Sequence, residues 1–598
     1  MAGANGTSVG SVVTFAVTIG GNIIPNETRV LSVHIETQVN RISTAKIVIL
    51  DGNADTGEFK ASSSATFIPG AAVTISAGYD SNNTQLFQGI ITRQSIRIDN
   101  LVGSALEVEC RDSAIKMIVG RKSLTFSQQS DSDIITSIIG TYSLTANVVS
   151  TSAVWPEQVQ YYVTDWDFIL SRAEINGMIV TTHNGTVAVF APDSNTTSVY
   201  TTGFGSGLIE FNADMDAITQ LSSVTATAWD YQNQAVNTGQ ASNSYAGPGN
   251  LSSSTLAGVV GLADYQLQTS APFQSADLTT WSKAQLVKSA YAKIQGEAKV
   301  LGTNAVSPGN YITLQGIGDR FSGDHIVSKV AHEFSDGNWM TGLSIGLSPT
   351  WFIEEPDVIS PPASGLLPAS RGLFSGTVMK IYDDPLTQYR ILVSVPLFDA
   401  NGAGIWARLA NFYSTSNGGA FFLPEVGDEV VIGFLNEDPR SPVILGSVYS
   451  SSNLSPFTGL TPNQNNTLKA IVSKTGISIQ FDDENKVLTI VTPDKNTLIL
   501  SDKDKKITLQ DDNQNSLVMS ADGITIKSPK NINLQADGSI SIAGTQGVTV
   551  AASGGDVGIS GINIKETADS QYSAQGSQTA AINSGMELTL KSAMIMIN

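Results

Sequence analysis

The strongest constraint in this 598-residue sequence is a repeat of apolar pairs in its C-terminal part. The two members of each pair are separated by one residue. The pairs are Ile477/Ile479, Leu488/Ile490, Leu498/Leu500, Ile507/Leu509, Leu517/Met519, Ile524/Ile526, Ile532/Leu534, Ile540/Ile542 and Val548/Val550. The last four pairs begin at residues 524, 532, 540 and 548, which is a strict period of eight. Residues two apart share one face of a β-strand, so each repeat predicts a short strand with a thin apolar edge.

A single copy of this segment cannot enclose a globular core, because each repeat offers only one narrow apolar edge. From about residue 471 onward, only Phe481 and Tyr572 are aromatic. Repeats of this type bury their edges by stacking on neighbours. If neighbouring turns of one chain do not suffice, identical chains must supply the other walls. The leading prediction is therefore an intertwined oligomeric β-prism.

Composition favours a mainly β fold and argues against nucleic acid as a partner. The chain has 33 Lys and Arg against 53 Asp and Glu, and its net charge of -20 repels phosphate. Charged residues make up only 14% of the chain and Gly occurs 54 times, which is typical of β-sheet with many turns. Helical periodicity is confined to residues 131–139, 165–176 and 278–294, with Asp131 or Ser132 as the expected cap of the first helix.

Few residues suit metal or cofactor chemistry. Cys110 is the only cysteine, which excludes a disulfide framework, and its strand context predicts a small buried hydrophobe. With only 4 His in the chain, we expect neither a metal nor a cofactor. No cationic residue precedes Arg29, and no apolar run approaches roughly 18 residues. Neither a secretory leader nor a membrane helix is therefore expected.

A second repeat lies in the N-terminal half. The string Pro69-Gly70-x-x-Val73-Thr74-Ile75 recurs as Pro308-Gly309-x-x-Ile312-Thr313-Leu314. Phe-x-Gly follows each copy, at residues 87–89 and 321–323. Pro-Gly turns before strands are common, so chance similarity is one interpretation. The shared offsets favour two related β-barrels that flank a mixed α/β insert.

Proline-rich and polar stretches divide the chain further. Residues 356–368 contain four prolines, which favour an extended linker. The predicted divisions are hub barrel 1 (1–125), an α/β insert (126–215), hub barrel 2 (216–355), a Pro-rich linker (356–371), a small closed barrel (372–450), a second linker (451–470) and a β-prism needle (471–598).

The small barrel carries the strings that point to a known family. They are DDPLTQYRILVSVP (383–396), Trp406-Ala407-Arg408, FFLPEVGDEVVIGF (421–434) and DPRSPVILGSVY (438–449). These strings resemble the oligonucleotide-fold (OB-fold) domain of the Vgr (VgrG-like) spike proteins of contractile injection systems and of contractile phage tail hubs and spikes. In family members, Gly usually precedes the Arg of the first string, whereas Tyr389 precedes Arg390 in this chain. Residues 161–178 are similar to a hub helix of that family, and the octad segment is similar to its needle.

The resemblance implies a homotrimeric central spike that caps an inner tube and pierces the target envelope when a sheath contracts. Two hub barrels in each of three chains would let a threefold spike seat on a sixfold tube. The implied partners are inner-tube or tube-initiating proteins and baseplate proteins at the N-terminal hub, a PAAR-type tip protein at the C-terminus, effectors, and transiently the target envelope. The resemblance also implies assembly in the bacterial cytoplasm and delivery outside the cell, or into the target, on firing.

Two other functions stay open. One is a phage tail baseplate hub and spike, and the other is a trimeric adhesin or glycan-degrading fibre. The fibre requires an aromatic or carboxylate-lined groove, and carboxylate pairs do occur at Asp482/Asp483 and Asp511/Asp512. Both pairs fall where turns between apolar pairs are expected, and Asp favours turns. We therefore predict solvated turns at these positions.

Two other motifs only partly match catalytic signatures. Gly342-Leu343-Ser344-Ile345-Gly346 has the spacing of a nucleophile elbow, but no helix follows, so a plain strand is predicted. His332-Glu333 begins a zinc-protease pattern, but Asp336 occupies the position of the second His. His332 is therefore expected at a surface or sheet edge. We expect no catalytic residue and no enzymatic activity.

The sequence ends on four consecutive apolar residues, Met594, Ile595, Met596 and Ile597, followed by Asn598. This run breaks the alternation that precedes it. Three such ends together would form an apolar platform with open strand edges, which is typical of a binding surface. Met594 to Ile597 are therefore the predicted docking residues for the tip protein. The alternative is that they only close the trimer core.

Overall fold

The computed structural model describes residues 12–25, 27–99, 103–356, 358–456 and 463–597. It divides into two compact units, Met1–Ser447 and Val448–Asn598. Strands dominate both units. The predicted mainly β fold is confirmed.

The elements are numbered in chain order. The strands of the first unit are β1 (Val13–Ile19), β2 (Asn22–Ile23), β3 (Val30–Gln38), β4 (Thr44–Leu50), β5 (Ala72–Tyr79), β6 (Asn82–Asp99), β7 (Gly103–Arg111), β8 (Lys122–Ser130), β9 (Thr145–Val148), β10 (Val154–Val163), β11 (Ile179–His183), β12 (Thr186–Phe190), β13 (Ser198–Gly203), β14 (Leu208–Met215), β15 (Ser223–Asp230), β16 (Ala235–Ser242), β17 (Tyr265–Thr269), β18 (Ile294–Leu301), β19 (Tyr311–Gln315), β20 (Gly323–Ser335), β21 (Asn338–Ile345), β22 (Phe374–Lys380), β23 (Ile391–Ser394), β24 (Ile405–Leu409), β25 (Ser414–Thr415), β26 (Gly418–Gly419), β27 (Glu429–Phe434) and β28 (Pro442–Ser447). Its α-helices are α1 (Asp131–Gly140), α2 (Asp165–Ile175), α3 (Ser253–Val260) and α4 (Ser275–Tyr291), and 3-10 helices occupy Ser113–Ile118, Phe352–Glu354, Pro362–Gly365 and Leu435–Glu437. The strands of the second unit are β29 (Leu468–Val472), β30 (Ser478–Asp482), β31 (Val487–Val491), β32 (Thr497–Ser501), β33 (Lys506–Gln510), β34 (Ser516–Ser520) and β35 (Gly523–Lys527).

One continuous sheet of 13 strands forms most of the first unit. Its order is β14-β18-β21-β20-β3-β4-β7-β6-β5-β1-β2, and β13 joins through β19, which pairs with β20. The sheet supports two separate apolar cores, one that includes Ile35 and Ile75 and another that includes Val300 and Leu314. Strands β3 and β20 pair antiparallel where the two halves meet. The two halves of the sheet are therefore hydrogen-bonded to each other, and their division into two hub barrels stays a prediction.

The Pro-Gly repeat marks equivalent turns in the two halves. Gly70 and Gly309 have φ of +96° and +87°, a region that favours glycine. The Gly70 amide donates to the Ile91 carbonyl at 2.8 Å, and the Ile91 amide donates back to the Ala71 carbonyl at 2.9 Å. The same exchange links residues 309 and 310 to Val327, with both bonds at 2.8 Å. The two copies thus share a turn and a strand-locking pattern.

The predicted helices form close to their expected bounds. α1 begins after Ser130, whose side chain makes a reciprocal capping box with Asp133. The expectation that Asp131 or Ser132 caps this helix is wrong, because Ser130 supplies the capping hydroxyl. α4 begins three residues before the predicted Leu278. It also ends earlier than predicted, since Ile294 already opens β18.

The small barrel closes as predicted. Its strands follow the order β22-β23-β24-β28-β27, and the last strand pairs back with the first. The interior is filled by buried aliphatic side chains that include Val378, Val393, Ile432 and Ile444. Alternate residues of these strands point inward, which is the arrangement of a filled small barrel.

The described residues of the second unit contain a single antiparallel meander. Strands β29 to β35 pair only with their sequence neighbours, and each has five residues. In the described residues from 528 to 597, no further strand or helix is assigned.

Among the described residues, no helix combines the length and apolar character needed to cross a lipid bilayer. The same parts of the chain hold no group of three or more His, Cys, Asp or Glu side chains placed to bind a metal ion.

Candidate functional surface of the C-terminal repeat

The register of the meander places the repeated apolar pairs on one face. Directly paired residues of adjacent strands point to the same side of a sheet. One column runs Phe481, Leu488, Leu500, Ile507, Met519 and Ile524, and the second runs Ile479, Ile490, Leu498, Leu509, Leu517 and Ile526. We call these twelve side chains the two-column face. The sequence predicted five of these six pairs, from Leu488/Ile490 to Ile524/Ile526. In β30 the predicted pair Ile477/Ile479 is wrong, because Ile479 and Phe481 occupy the two columns and Ile477 precedes the strand.

The two-column face is uncovered in a single chain. Leu509, Ile524 and Ile526 are 52%, 69% and 59% exposed. Every buried apolar cluster in the described residues lies at or before Ile444. Covering an apolar side chain of this size stabilises a protein by roughly 1.5–3 kcal/mol. A second layer that covers this face would therefore stabilise the sheet.

The period-eight segment that follows β35 is also exposed. Ile532, Leu534 and Ile540 are 51%, 69% and 54% exposed, and every described residue from 529 to 597 is solvent-accessible. This stretch keeps the alternating pattern of a strand but makes no ladder with its own chain in the described residues. Backbone donors and acceptors of an apolar β-segment need partners when they are buried. Such partners must come from outside the single chain.

The predicted tip-docking residues form an exposed apolar run. Met594, Ile595, Met596 and Ile597 are 73%, 52%, 79% and 90% exposed. Asn598 lies outside the described residues. The run is available to a partner, and its role as a docking site stays a prediction.

The carboxylate pairs of the meander hold turns. Asp482 accepts hydrogen bonds from the amide nitrogen and side chain of Asn485 at 3.0 and 2.8 Å. Asp511 accepts the same two bonds from Asn515 at 2.8 and 2.7 Å. These bonds, the side-chain bond first, lower the pKa of both carboxyl groups. Both aspartates therefore stay ionised as turn acceptors, which confirms the predicted turns.

The candidate catalytic residues of the first unit occupy structural positions. Ser344 lies within strand β21 and pairs with Lys329 and Glu297, so the predicted plain strand is confirmed. Cys110 is 1% exposed in the apolar core, and burial raises the pKa of its thiol to about 12.

His332 corrects an expectation. It is 5% exposed on β20, between β3 and β21, so its expected position at a surface or sheet edge is wrong. Its Nδ1 lies 3.1 Å from the Thr341 hydroxyl and 3.4 Å from the indole nitrogen of Trp339. Burial is the main cause that lowers its pKa to about 4. The long-range pairing of β3 with β20 buries this side chain, and no local pattern reports that pairing.

One loop of the small barrel is built around a part-buried ion pair. Asp384 accepts from the Nε and Nη2 atoms of Arg390 at 3.0 and 2.6 Å, and from the amides of Leu386 and Gln388. The guanidinium bonds come first among the causes that hold the pKa of Asp384 well below its usual range. Tyr389, where the family usually has Gly, has φ of +57°. The departure thus places a bulky residue in a backbone region that favours glycine.

The sequence analysis did not predict a further exposed surface, which lies on the small barrel. Five aromatic side chains surround the β25/β26 hairpin, namely Tyr389, Phe412, Tyr413, Phe421 and Phe422. We call them the barrel aromatic patch. The available signal was the pair of strings NFY and AFF on either side of the SNGG turn.

Three family models match the chain. The model described as the Alg8 N-terminal domain matches residues 9–336, which is more than half of the chain. The chain belongs to this family. The type VI secretion system/phage-baseplate injector OB domain matches residues 374–449, and the phage baseplate V C-terminal trimerisation domain matches residues 487–562. The predicted OB-fold and the resemblance to Vgr spike proteins are confirmed.

Known spike and tail proteins share local similarity with this member of the Alg8 N-terminal domain family. The type VI secretion system spike protein VgrG3 of Vibrio cholerae is 40% identical over 52 residues, which cover 9% of this chain and 5% of that protein. Spike protein VgrG1a of Pseudomonas aeruginosa is 30% identical over 78 residues, which cover 13% and 12%. The 43 kDa tail protein of prophage MuSo2 from Shewanella oneidensis aligns over 56% of this chain and 98% of its own, with TM-score 0.43 and 11% identity. The chain therefore matches only a small part of the length of either spike protein.

Proposed function

We propose that three copies of this chain assemble into the central spike of a contractile injection system. The observation that carries the proposal is the two-column face, which is apolar over six strands and uncovered in the single chain. The trimerisation family model supports it, because its residues 487–562 include most of this face and the octads that follow. Three single-layer sheets can cover one another when their apolar faces turn toward a common axis.

The octads beyond β35 complete the same assembly. Ile532, Ile540 and Val548 start successive repeats of eight residues, so they return to the same face at each step. Strands from neighbouring copies provide the missing ladder partners and the missing apolar layer. The result is the intertwined prism that the repeat predicts, and repeats that stack on identical neighbours need no globular core.

The proposed work of this assembly is mechanical. The hub barrels cap the inner tube and contact baseplate proteins, sheath contraction drives the trimer forward, and the needle enters the target envelope. A PAAR-type tip protein docks on Met594 to Ile597, and effectors travel with the spike. The particle assembles in the bacterial cytoplasm and leaves the cell, or enters the target, on firing.

No residue of this mechanism needs to be catalytic. Asp482 and Asp511 hold turns, Ser344 lies within a paired strand and Cys110 is a protonated core residue. We therefore expect Ser344→Ala and Asp511→Asn to leave envelope penetration unchanged, as measured by killing or delivery with assembled particles. Reduced penetration by either variant, with assembly intact, would contradict the mechanical proposal and favour an enzymatic role.

Adjacent residues of β33 provide a matched test of the trimer. Leu509 lies in the two-column face, whereas Gln510 is exposed on the opposite face of the same strand. Leu509→Asp places three carboxylates in an apolar interior, at a cost of several kcal/mol for groups left unpaired. By sedimentation velocity, we expect Gln510→Asp to remain trimeric and Leu509→Asp to dissociate. A folded monomer from the unmodified chain, or equal behaviour of both variants, would refute the arrangement.

A further inference from the structure

The hairpin that joins β11 to β12 brings reactive groups together away from the surfaces described above. His183 pairs with Thr186, so the turn consists of Asn184 and Gly185 alone. Both turn residues have positive φ, +51° and +79°, the combination that favours Asn-Gly in two-residue hairpins. Glycine has no side chain to shield its amide nitrogen from the preceding carboxamide. The turn is therefore chemically open to cyclisation.

The backbone nitrogen of this turn faces a buried carboxylate. The Gly185 amide donates to Oδ2 of Asp112 at 3.1 Å, and Asp112 is 1% exposed. The other oxygen of Asp112 accepts from the Ala114 amide at 2.9 Å, which fixes the carboxylate at the start of the 3-10 helix Ser113–Ile118. Burial, the largest cause, raises the pKa of Asp112 above its ordinary value. A carboxylate with a raised pKa is a stronger base, and this one lies within reach of the N–H proton.

The carboxamide of the turn contacts a histidine. Nδ2 of Asn184 lies 2.8 Å from Nε2 of His183. This ring nitrogen is located where a departing ammonia must gain a proton. Oδ1 of Asn184 is buried and has no hydrogen-bond partner in the part of the chain that the structure describes. An unpaired buried acceptor is less stable than a solvated one, so the fold stabilises the intact carboxamide poorly.

We propose that Asn184 is a self-deamidation site, with Asp112 as the base and His183 as the acid. The Gly185 nitrogen attacks Cγ of Asn184 and forms the N–Cγ bond, while Asp112 takes the proton from that nitrogen. The Cγ–Nδ2 bond then breaks, and ammonia leaves with a proton delivered by His183. Solvent returns both side chains to their starting protonation states.

The product of this step is a five-membered succinimide that joins residues 184 and 185. One water molecule opens the ring and leaves aspartate or isoaspartate at position 184. The whole reaction consumes one water and releases one ammonia, so it needs no oxidant and no second protein. It takes place within one chain and does not depend on assembly of the spike.

The chain contains its own controls for this chemistry. Asn-Gly also occurs at Asn176, Asn401 and Asn417 among the described residues. The amides of Gly177 and Gly402 donate to backbone carbonyl oxygens instead of a carboxylate. Asn417 has φ of +59°, close to that of Asn184, but no histidine precedes it in the sequence. A rate specific to Asn184 therefore separates assisted deamidation from the general lability of Asn-Gly.

Peptide mass spectrometry of the full-length protein, incubated at neutral pH in oxygen-18 water, tests the proposal. We expect Asn184 to convert at least tenfold faster than Asn401 or Asn417 in the same sample, because positioned acids and bases accelerate reactions by about 10²- to 10⁴-fold. Both aspartate and isoaspartate peptides should carry one oxygen-18 atom, since water enters when the ring opens. Equal rates at the three sites would overturn the proposal. Aspartate as the sole product would also overturn it, because direct hydrolysis forms no ring.

Two variants test the assigned roles. Asp112→Asn and His183→Gln each keep a polar side chain but remove the base or the acid. With the fold checked by circular dichroism, we expect each variant to slow conversion at Asn184 at least tenfold and to leave Asn401 unchanged. Unchanged conversion at Asn184 in both folded variants would refute the assignment.

The unmodified protein in guanidinium chloride provides a measurement that does not depend on how the variants fold. Unfolding separates Asp112 from the turn, so we expect conversion at Asn184 to slow to the rate of Asn401. Faster conversion at Asn184 on unfolding would show that the fold protects this turn, and would overturn the proposal. Chain cleavage between Asn184 and Gly185 would overturn it too, because the side-chain nitrogen would then be the nucleophile.

Discussion

At the scale of single residues, the sequence predicted features that depend on local pattern better than it predicted buried polar side chains. Cys110 in the core and the Asp turns of the meander follow from local patterns, and the structure has both. Lys293 does not follow, since it is 1% exposed and its ammonium donates to the carbonyls of Ala246, Pro248 and Leu251 at 2.6–2.8 Å. A lysine is normally exposed, and only the folded loop reveals the three acceptors that satisfy this one.

His332 makes the stability of the first unit pH-dependent. Its pKa is about 4 in the folded chain against an ordinary value of 6.5, because burial and the nearby His34 disfavour the charged ring. Between pH 4 and pH 6.5, His332 binds a proton in the unfolded chain but not in the folded chain. Stability therefore falls as the pH is lowered from 6.5 to 4, by about 3 kcal/mol from this group.

The check is denaturant unfolding of the unmodified chain and of His332→Gln over this pH range. Glutamine keeps a polar contact for Thr341 but cannot gain the proton. We expect the variant to lose less stability on acidification. An identical pH profile for the two proteins would show that His332 does not contribute.

Tyr389 tests whether backbone strain is stored in the barrel loop. A residue other than Gly in the left-handed region is destabilised by about 1 kcal/mol. Tyr389→Gly and Tyr389→Ala both remove the ring, but only glycine accepts φ of +57° without strain. We expect the glycine variant to be more stable than the alanine variant by about 1 kcal/mol in denaturant unfolding of the barrel. Equal stabilities would mean that the loop relaxes to another conformation.

At the scale of elements, the sequence predicted best those strands in which apolar and polar residues alternate. The apolar pairs become the two-column face because side chains alternate strictly along a strand. Helix α3 was missed, since its eight residues from Ser253 to Val260 carry too short an apolar pattern. The β25/β26 hairpin was missed for the same reason, because each of its strands has only two residues.

The octads allow a deletion test in which one residue decides the outcome. Removing residues 532–539 takes out one whole repeat, so Ile540 replaces Ile532 on the same face. Removing residues 533–539 takes out seven residues, and every later side chain turns to the opposite face. We expect the first deletion to keep the trimer and its thermal stability, and the second to lose both, by sedimentation and thermal unfolding. Equal tolerance of both deletions would argue against a fixed strand register beyond β35.

At the scale of the whole molecule, local patterns predicted the parts but not how they join. The internal repeat indicated two related halves, and the shared turn hydrogen bonds agree with it. Their fusion into one sheet depends on β3 pairing with β20, some 300 residues away in sequence. Pairing over such a distance leaves no local signal, since either strand would look the same beside another neighbour.

The exposed terminal run belongs to this scale because its proposed partner is another protein. We expect deletion of residues 594–598 to leave the trimer intact and to abolish retention of a PAAR-type tip protein, because four exposed apolar side chains are lost. Co-purification of the tip protein, alongside sedimentation of the trimer, measures both. A truncated trimer that retains the tip protein with native affinity would contradict docking at Met594 to Ile597. Loss of the trimer would instead show that the run closes the core.

The ladder between β3 and β20 also has a mechanical consequence. Residues 32–38 pair with residues 329–335 in an unbroken register. Two halves joined only by covalent connections would pivot about them and dissipate an applied force in bending. A shared hydrogen-bond ladder removes that hinge, and a pull along paired strands loads all of their bonds together instead of one after another. The two halves of the first unit therefore resist bending relative to each other as parts of one continuous sheet.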